Sequence, residues 1–237
     1  MVSSSALVLI TTASNPPEGV FALRMTNVAT RKITAKAAVF FWAAMGVQKI
    51  VIADATGQTL LDESDVLLLT QMGLEVEQVH YLQDNDRVIE KGKGYGEGAL
   101  IKFALEHSKL LQTVDHFFKC TGKVYCRNFL EIKSLIQKNK IQTIFWRDEL
   151  NPSLVDTRFF YATKKFTSEY LLPAFEHVDD RHHIFSEHCA MKMAREKLKQ
   201  AASIRPMLSG FSGTTNQPYF DSNLGLLDQK LPCWVSQ

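Results

Sequence analysis

Cysteine, proline and glycine are all scarce in this chain, at four, seven and twelve among 237 residues. The four cysteines (Cys120, Cys126, Cys189, Cys233) contain no C-x-x-C pair, which excludes a disulfide scaffold and suits free thiols in a reducing compartment; the expected location is the cytoplasm. So little glycine and proline excludes a collagen-like or low-complexity chain. An excess of one charge is missing too, since 27 Lys+Arg face 25 Asp+Glu for a net +2, without the basic surplus that grips nucleic acid, so no nucleic-acid partner is expected. The longest uncharged apolar run, Ala37 to Val47, falls short of the roughly 18 residues that cross a membrane. The start, Met1 to Ile10, has no basic residue and an apolar run too short for a signal-peptide core, and reads as a first buried strand.

What is present is ordinary globular material, 46% apolar and 22% charged. A chain of this length buries roughly 70–75% of its unfolded surface, enough for one large domain without a staple, here taken as 1–237. Leu7 to Thr11 is an apolar, β-branched run closed by Thr12-Ala-Ser-Asn-Pro-Pro. Thr30 can cap a helix from Arg31 to Met45 whose spacing presents Ile33, Ala37, Phe40, Phe41 and Ala44 as one apolar face, with Gly46 as its stop and Phe40, Phe41 and Trp42 as core. A strand at Lys49–Asp54, a helix capped by Asp62, and an alternating strand at Val76–Leu82 complete a β-α-β-α-β order, which predicts an α/β fold with a mostly parallel sheet flanked by helices. Further on, the pattern predicts a helix from Ala99, a strand at Asp115–Cys120, a helix after Asn128, strands at 141–146 and 156–162, helices at 167–176 and 186–200, and a loop-like tail from Pro206 that packs over the body.

The densest local signal is Lys91-Gly-Lys-Gly-Tyr-Gly-Glu-Gly98 before a helix. Gly94-x-Gly96-x-x-Ala99 fits a dinucleotide fingerprint, although a spacer from Asp84 to Lys91 separates it from the strand that should feed it. A flexible loop is the bland alternative. The third reading is a phosphate cradle, in which free amides at a helix N-terminus, with Lys91 and Lys93 beside them, hold a diphosphate and Gly94 permits close approach.

That run, followed by Asp115-His-Phe-Phe-Lys-Cys-Thr-Gly-Lys123 and Asn128, resembles the nucleotide-sugar-binding half of a glycosyltransferase of the GT-A fold, a Rossmann-related α/β architecture. It is most similar to small bacterial transferases that build lipopolysaccharide and capsule. The resemblance implies a nucleotide-sugar-binding half over about 1–125 and an acceptor half with a C-terminal loop over about 126–237. It implies a nucleoside-diphosphate-sugar donor, a glycan or glycolipid acceptor, and a place at the inner face of the membrane. It leaves the oligomeric state open. Most members carry a D-x-D motif for a divalent metal where this chain has Thr121-Gly122-Lys123, and no Asp or Glu stands between Asp115 and Glu131. Hard-oxygen ligands for Mg²⁺ or Mn²⁺ are therefore missing there, no metal or other cofactor is expected, and Lys123, with Lys119 or Lys93, is the local cation to offset the leaving diphosphate. Thr121 and Gly122 would hold the diphosphate with it. Sites at the carboxyl edge of such a sheet place Thr12, Asn15 and Asp54 around the nucleoside, with loop capping as their alternative role.

A second constellation is Asp179-Asp-Arg-His-His-Ile-Phe-Ser-Glu-His188. Its H-x-x-x-E-H spacing does not match the zinc-enzyme patterns. Ser186 reads either as an N-cap with Glu187 and His188 in the first turn, or as the start of the Ser186-Glu187-His188 segment that resembles the general-base region of inverting GT-A enzymes, where Glu187 would draw the proton from an acceptor hydroxyl. Arg158 would either pair with Asp156 or reach a phosphate with its fork of donors. Catalytically silent sugar-nucleotide binding and an NAD(P)- or S-adenosylmethionine-dependent enzyme are the competing functional readings. The basic stretch Lys192–Arg205 reads as a solvated helix face, with an anionic lipid or partner as the alternative.

Overall fold

The computed structural model describes residues 6–148, 151, 153–219 and 230–237. Leu7–Thr12 (β1) is buried along its whole length, as a strand covered on both faces must be, and Lys49–Asp54 (β2) is nearly so. With Glu75–His80 (β3) and His116–Thr121 (β4) they form a parallel set in the order β3-β2-β1-β4. The sheet continues through antiparallel neighbours, Val155–Thr163 (β7), Thr143–Arg147 (β6), Lys230–Ser236 (β11) and Lys199–Ile204 (β8), to eight strands. Only β7 and β11 run against the common direction, so the expected mostly parallel α/β sheet is present.

One face of the sheet is covered by Val28–Ala44 (α1), Glu63–Gln71 (α2) and Phe129–Asn139 (α6), around a core that includes Trp42, Phe118, Phe129 and Phe159. The other is covered by Lys93–His107 (α4), Lys109–Gln112 (α5), Ser186–Lys197 (α9) and a helical segment made of Lys164–Phe166 (α7), a π-turn at Thr167–Leu171 and Leu172–Phe175 (α8). A short helix, Asn85–Lys91 (α3), precedes α4, and a three-stranded antiparallel sheet joins Val124–Cys126 (β5), Leu208–Phe211 (β9) and Pro218–Tyr219 (β10). Among the described residues no helix is long and apolar enough to cross a membrane.

Four expectations change. Asn27, not Thr30, caps α1, accepting from the Thr30 amide at 2.8 Å. The buried face of α1 is Arg31, Ala35, Ala38, Val39 and Trp42, while Ile33, Phe41, Ala37 and Ala44 face outward; almost every position from 35 to 44 is apolar, so spacing alone had no phase to select. The helix foreseen at 186–200 ends at Lys197, so Lys192, Arg195 and Lys197 stay on its exposed side while Lys199 opens the edge strand β8. The tail supplies β9, β10 and β11, the last inserted between β6 and β8. Phe220, one of the tail aromatics expected to pack over the body, lies outside the described residues.

The glycine run is also not a loop. Gly94, Gly96 and Gly98 lie buried inside α4, where they let neighbours approach. A Cβ on Gly98 would stand 2.8 Å from Phe175 Cβ, and one on Gly94 3.0 Å from Val178. Alanine within a helix gains about 1 kcal/mol over glycine, but overpacking against a side-chain root typically costs about 1–3. Gly98→Ala is therefore expected to lower stability by up to about 2 kcal/mol in urea unfolding. A stabilised variant would show that α8 yields freely.

Candidate active site

The carboxyl ends of β1 and β4 carry Thr11, Thr12 and Thr121 to the sheet edge, where the chain leaves β4 through the tight Gly122-Lys123 turn. A Cβ on Gly122 would lie 2.8 Å from the Thr11 carbonyl oxygen, and Lys123 holds φ at +74°. Above this edge opens a cavity of about 420 Å³ whose wall includes Thr12, Arg31, Lys93, Gly94, Glu97, Thr121, Lys123, Thr157, Arg158, Ser186 and Glu187. Its size suits a small-molecule ligand.

Of the residues singled out in the sequence, Thr12, Lys93, Gly94, Thr121, Lys123, Arg158 and Glu187 meet there. Asn15, Asp54, Lys91 and Gly122 are not in the wall. Asp54 is buried and tied to the loops, accepting from the Ser14 amide at 2.8 Å and the Thr56 amide at 2.8 Å, which is the loop-capping role. Asn15 is exposed and its amide donates to Thr56 Oγ1. Lys91 faces Asp179 at 4.0 Å.

The cradle expected at Lys91–Gly94 is occupied by the protein itself. The Gly94 amide donates to Asp180 Oδ2 at 3.3 Å, and a Cβ on Gly92 would fall 2.3 Å from that carboxylate. The helix N-terminus thus already holds an anion, and burial pushes the Asp180 carboxyl upward even so. The G-x-G-x-x-A pattern lies within α4 rather than on a strand-to-helix turn, so its amides are not arranged as a dinucleotide fingerprint. Lys93 lines the cavity, bonds the Thr214 hydroxyl, and is shifted downward by burial against the pull of Asp180, Glu187 and Glu97.

Two further cations of the wall stand together. Lys123 is 5% exposed, and no acceptor among the described residues takes a hydrogen bond from its ammonium. Arg31, 5% exposed, is positioned by donating from Nε to the Ala13 carbonyl at 2.6 Å and from Nη1 to that of Met25 at 2.7 Å. Both border Gly213, whose Cβ position is 3.7 Å from Arg31 Nη1 and 3.9 Å from Lys123 Nζ. Burial and then the Arg31 charge drive the Lys123 pKa down to about 7, and burial lowers that of Arg31, with Asp54 opposing. An amine so placed gains by meeting an anion.

Glu187 is the second residue of α9, which starts at Ser186 after the cap residue Phe185, so Ser186 is not the N-cap. Both carboxylate oxygens are held, Oε1 by the Thr157 hydroxyl at 2.9 Å and Oε2 by the Ser186 hydroxyl at 3.1 Å. Arg158 is committed to Asp156 through Nε at 2.8 Å and Nη2 at 2.6 Å. His188 Nδ1 accepts from the Phe185 amide, and no three His, Cys, Asp or Glu side chains among the described residues gather as metal ligands. All four cysteines are buried and none is in a disulfide; burial raises the thiols of Cys120, Cys189 and Cys233, as inert thiols require.

Sequence reasoning missed Arg31, Glu97 and Thr157. Arg31 entered only as the first residue of the helix expected after Thr30. Lys119 carried a usable signal, a charge within the buried run Phe117-Phe118-Lys119-Cys120, because such a lysine must find a partner. That partner is Glu97 at 2.7 Å.

No family model and no curated protein matches this chain. Among solved structures it is similar to the crystal structure of a glycosyltransferase involved in the glycosylation of the major capsid of PBCV-1, at 8% identity and a TM-score of 0.40 over 76% of this chain and 72% of that one. A likeness that loose leaves the reading of the site to its own residues.

Proposed function

We propose that the protein is a glycosyltransferase that moves a sugar from a nucleoside-diphosphate donor to a hydroxyl of a glycan or glycolipid, with inversion by direct displacement. The observation that carries this reading is one cavity whose wall holds both an unpartnered buried ammonium beside a guanidinium and a carboxylate gripped on both oxygens. The acceptor oxygen bonds to the anomeric carbon as its proton passes to Glu187, the bond to the diphosphate breaks, and its electron pair goes to the departing oxygen, where Lys123 and Arg31 neutralise it. Lys93 and Thr121 line the same cavity. Surface-polysaccharide synthesis at the inner membrane face is the setting that the sequence resemblance favours.

The experiment is a thermal-shift panel of UDP, GDP, CMP, their sugar conjugates, NAD(P) and S-adenosylmethionine, since a ligand bound only by the native state raises its stability. Nucleoside diphosphates and their sugars should stabilise the protein. A response confined to dinucleotides or S-adenosylmethionine would replace the transferase reading. Binding of a sugar nucleotide without turnover in the presence of any glycan acceptor would favour a silent binding protein.

On this reading Lys123 and Arg31 compensate the charge of the departing diphosphate, so turnover is expected to persist in excess EDTA. A collapse reversed by Mn²⁺ would put the charge compensation on a bound cation instead.

A further inference from the structure

Glu97 has no part in the displacement described above, yet its surroundings are built for a ligand. It lies on α4 one helical turn after Lys93, between the ends of β1 and β4, with its side chain 19% exposed. Its Oε1 accepts from the Lys119 ammonium at 2.7 Å, the Thr11 hydroxyl at 2.7 Å and the Thr121 hydroxyl at 3.2 Å. Three donors saturate that oxygen and lock the side chain. No donor among the described residues reaches Oε2, and Glu97 lines the cavity. The ion pair behind it is expensive: Lys119 is fully buried, and a buried pair is seldom better for stability than apolar packing. Its observable effect is to present one carboxylate oxygen to the cavity in a fixed direction.

We infer that Glu97 reads hydroxyl groups on the sugar being transferred, an assignment that rests on the transferase reading and deepens it. Charge decides which part of the ligand faces it. A phosphate would be repelled by the carboxylate and has Lys123 and Arg31 to go to, so the group at Glu97 must donate hydrogen bonds and carry no negative charge. A sugar hydroxyl does both, and O–H···O⁻ bonds are among the strong ones. Connectivity places Glu97 on the reacting side: Lys119 Nζ also donates to the Thr157 carbonyl at 2.8 Å, and the Thr157 hydroxyl holds Glu187. One strand residue thus ties the sugar-facing carboxylate to the acceptor-facing one. A polar group built to pair with a hydroxyl discriminates strongly against analogues that lack it.

The test is calorimetric titration of wild type, Glu97→Gln and Glu97→Asp with UDP and UDP-glucose, GDP and GDP-mannose, and dTDP and dTDP-glucose. For the pair that wild type binds, both variants should hold the nucleoside diphosphate as well as wild type or better, and the sugar nucleotide about tenfold or more weakly. As a second measurement, one monodeoxy analogue of that sugar should lose a similar factor with wild type and nothing further with Glu97→Gln. Parallel loss of diphosphate and sugar nucleotide would reduce Glu97 to a support for the cavity, and undiminished binding of the sugar nucleotide would remove it from recognition; either result overturns the assignment while leaving the transferase reading intact. Wild type that binds none of the six ligands overturns that reading itself, and this assignment with it.

Discussion

Glu187→Gln is expected to bind the sugar-nucleotide donor as wild type does and to transfer the sugar about 10²–10⁴-fold more slowly. The amide keeps the size of the carboxylate, and its oxygen still accepts from Thr157 or Ser186, which now hold the two oxygens at 2.9 and 3.1 Å. What it loses is the ability to take a proton. A sugar hydroxyl is a poor nucleophile until its proton is drawn off in the transition state, so the loss falls on the chemical step and leaves donor binding untouched. Single-turnover rates beside donor titrations separate the two. Turnover near the wild-type value would take the base role away from Glu187, and equal losses in binding and rate would mean that the substitution disturbed the start of α9.

Lys123→Met is expected to stabilise the ligand-free protein at pH 7 and to weaken its hold on a nucleoside diphosphate by about 10–100-fold, while a bare nucleoside binds nearly as before. Burial and the neighbouring Arg31 lower the folded pKa to about 7 from the ordinary lysine value of 10.5. The unfolded chain therefore binds more protons than the folded one between those values, and the slope relation makes stability rise with pH across that window. The burden of charging the amine is fully present below about pH 7 and gone by about pH 10.5; it amounts to a few kcal/mol. Methionine fills similar space without the charge and should flatten this part of the profile, as urea unfolding at pH 6 and pH 9 will measure.

A bound diphosphate favours the ammonium, so it raises the lysine pKa again. Above pH 7 binding should take up a proton and affinity should fall as pH rises, detectable by calorimetry in buffers of different ionisation enthalpy. A wild type whose stability and affinity are both flat from pH 7 to 9 would mean that the Lys123 amine is not the group that meets the phosphates. If diphosphate and nucleoside weaken together in the methionine variant, the turn has been damaged instead.

These two residues were both visible in the linear chain, one as a lysine where carboxylates are usual and the other as an acid opening a helix. Their companions were not. Arg31 belongs to a helix whose apolar residues crowd all sides, and only packing of that helix against the sheet turned the arginine inward to the Ala13 and Met25 carbonyls. The glycines of α4 misled for a related reason: glycine marks any place where another group must come close, and here the group is Asp180, Val178 or Phe175 rather than a phosphate.

Local alternation, apolar runs and caps determined the parallel half of the sheet on their own, because β1, β2 and β4 are buried on both faces and each following helix is stopped or started by short-range chemistry such as the reciprocal Asp62 and Asp65 bonds. The insertion of β11 between β6 and β8, the capture of the α4 N-terminus by Asp180, and the meeting of Lys123 with Arg31 and of Lys119 with Glu97 were decided by tertiary structure alone. Each joins residues far apart in the chain, and no periodicity encodes a contact whose partners are brought together only when apolar faces elsewhere are buried.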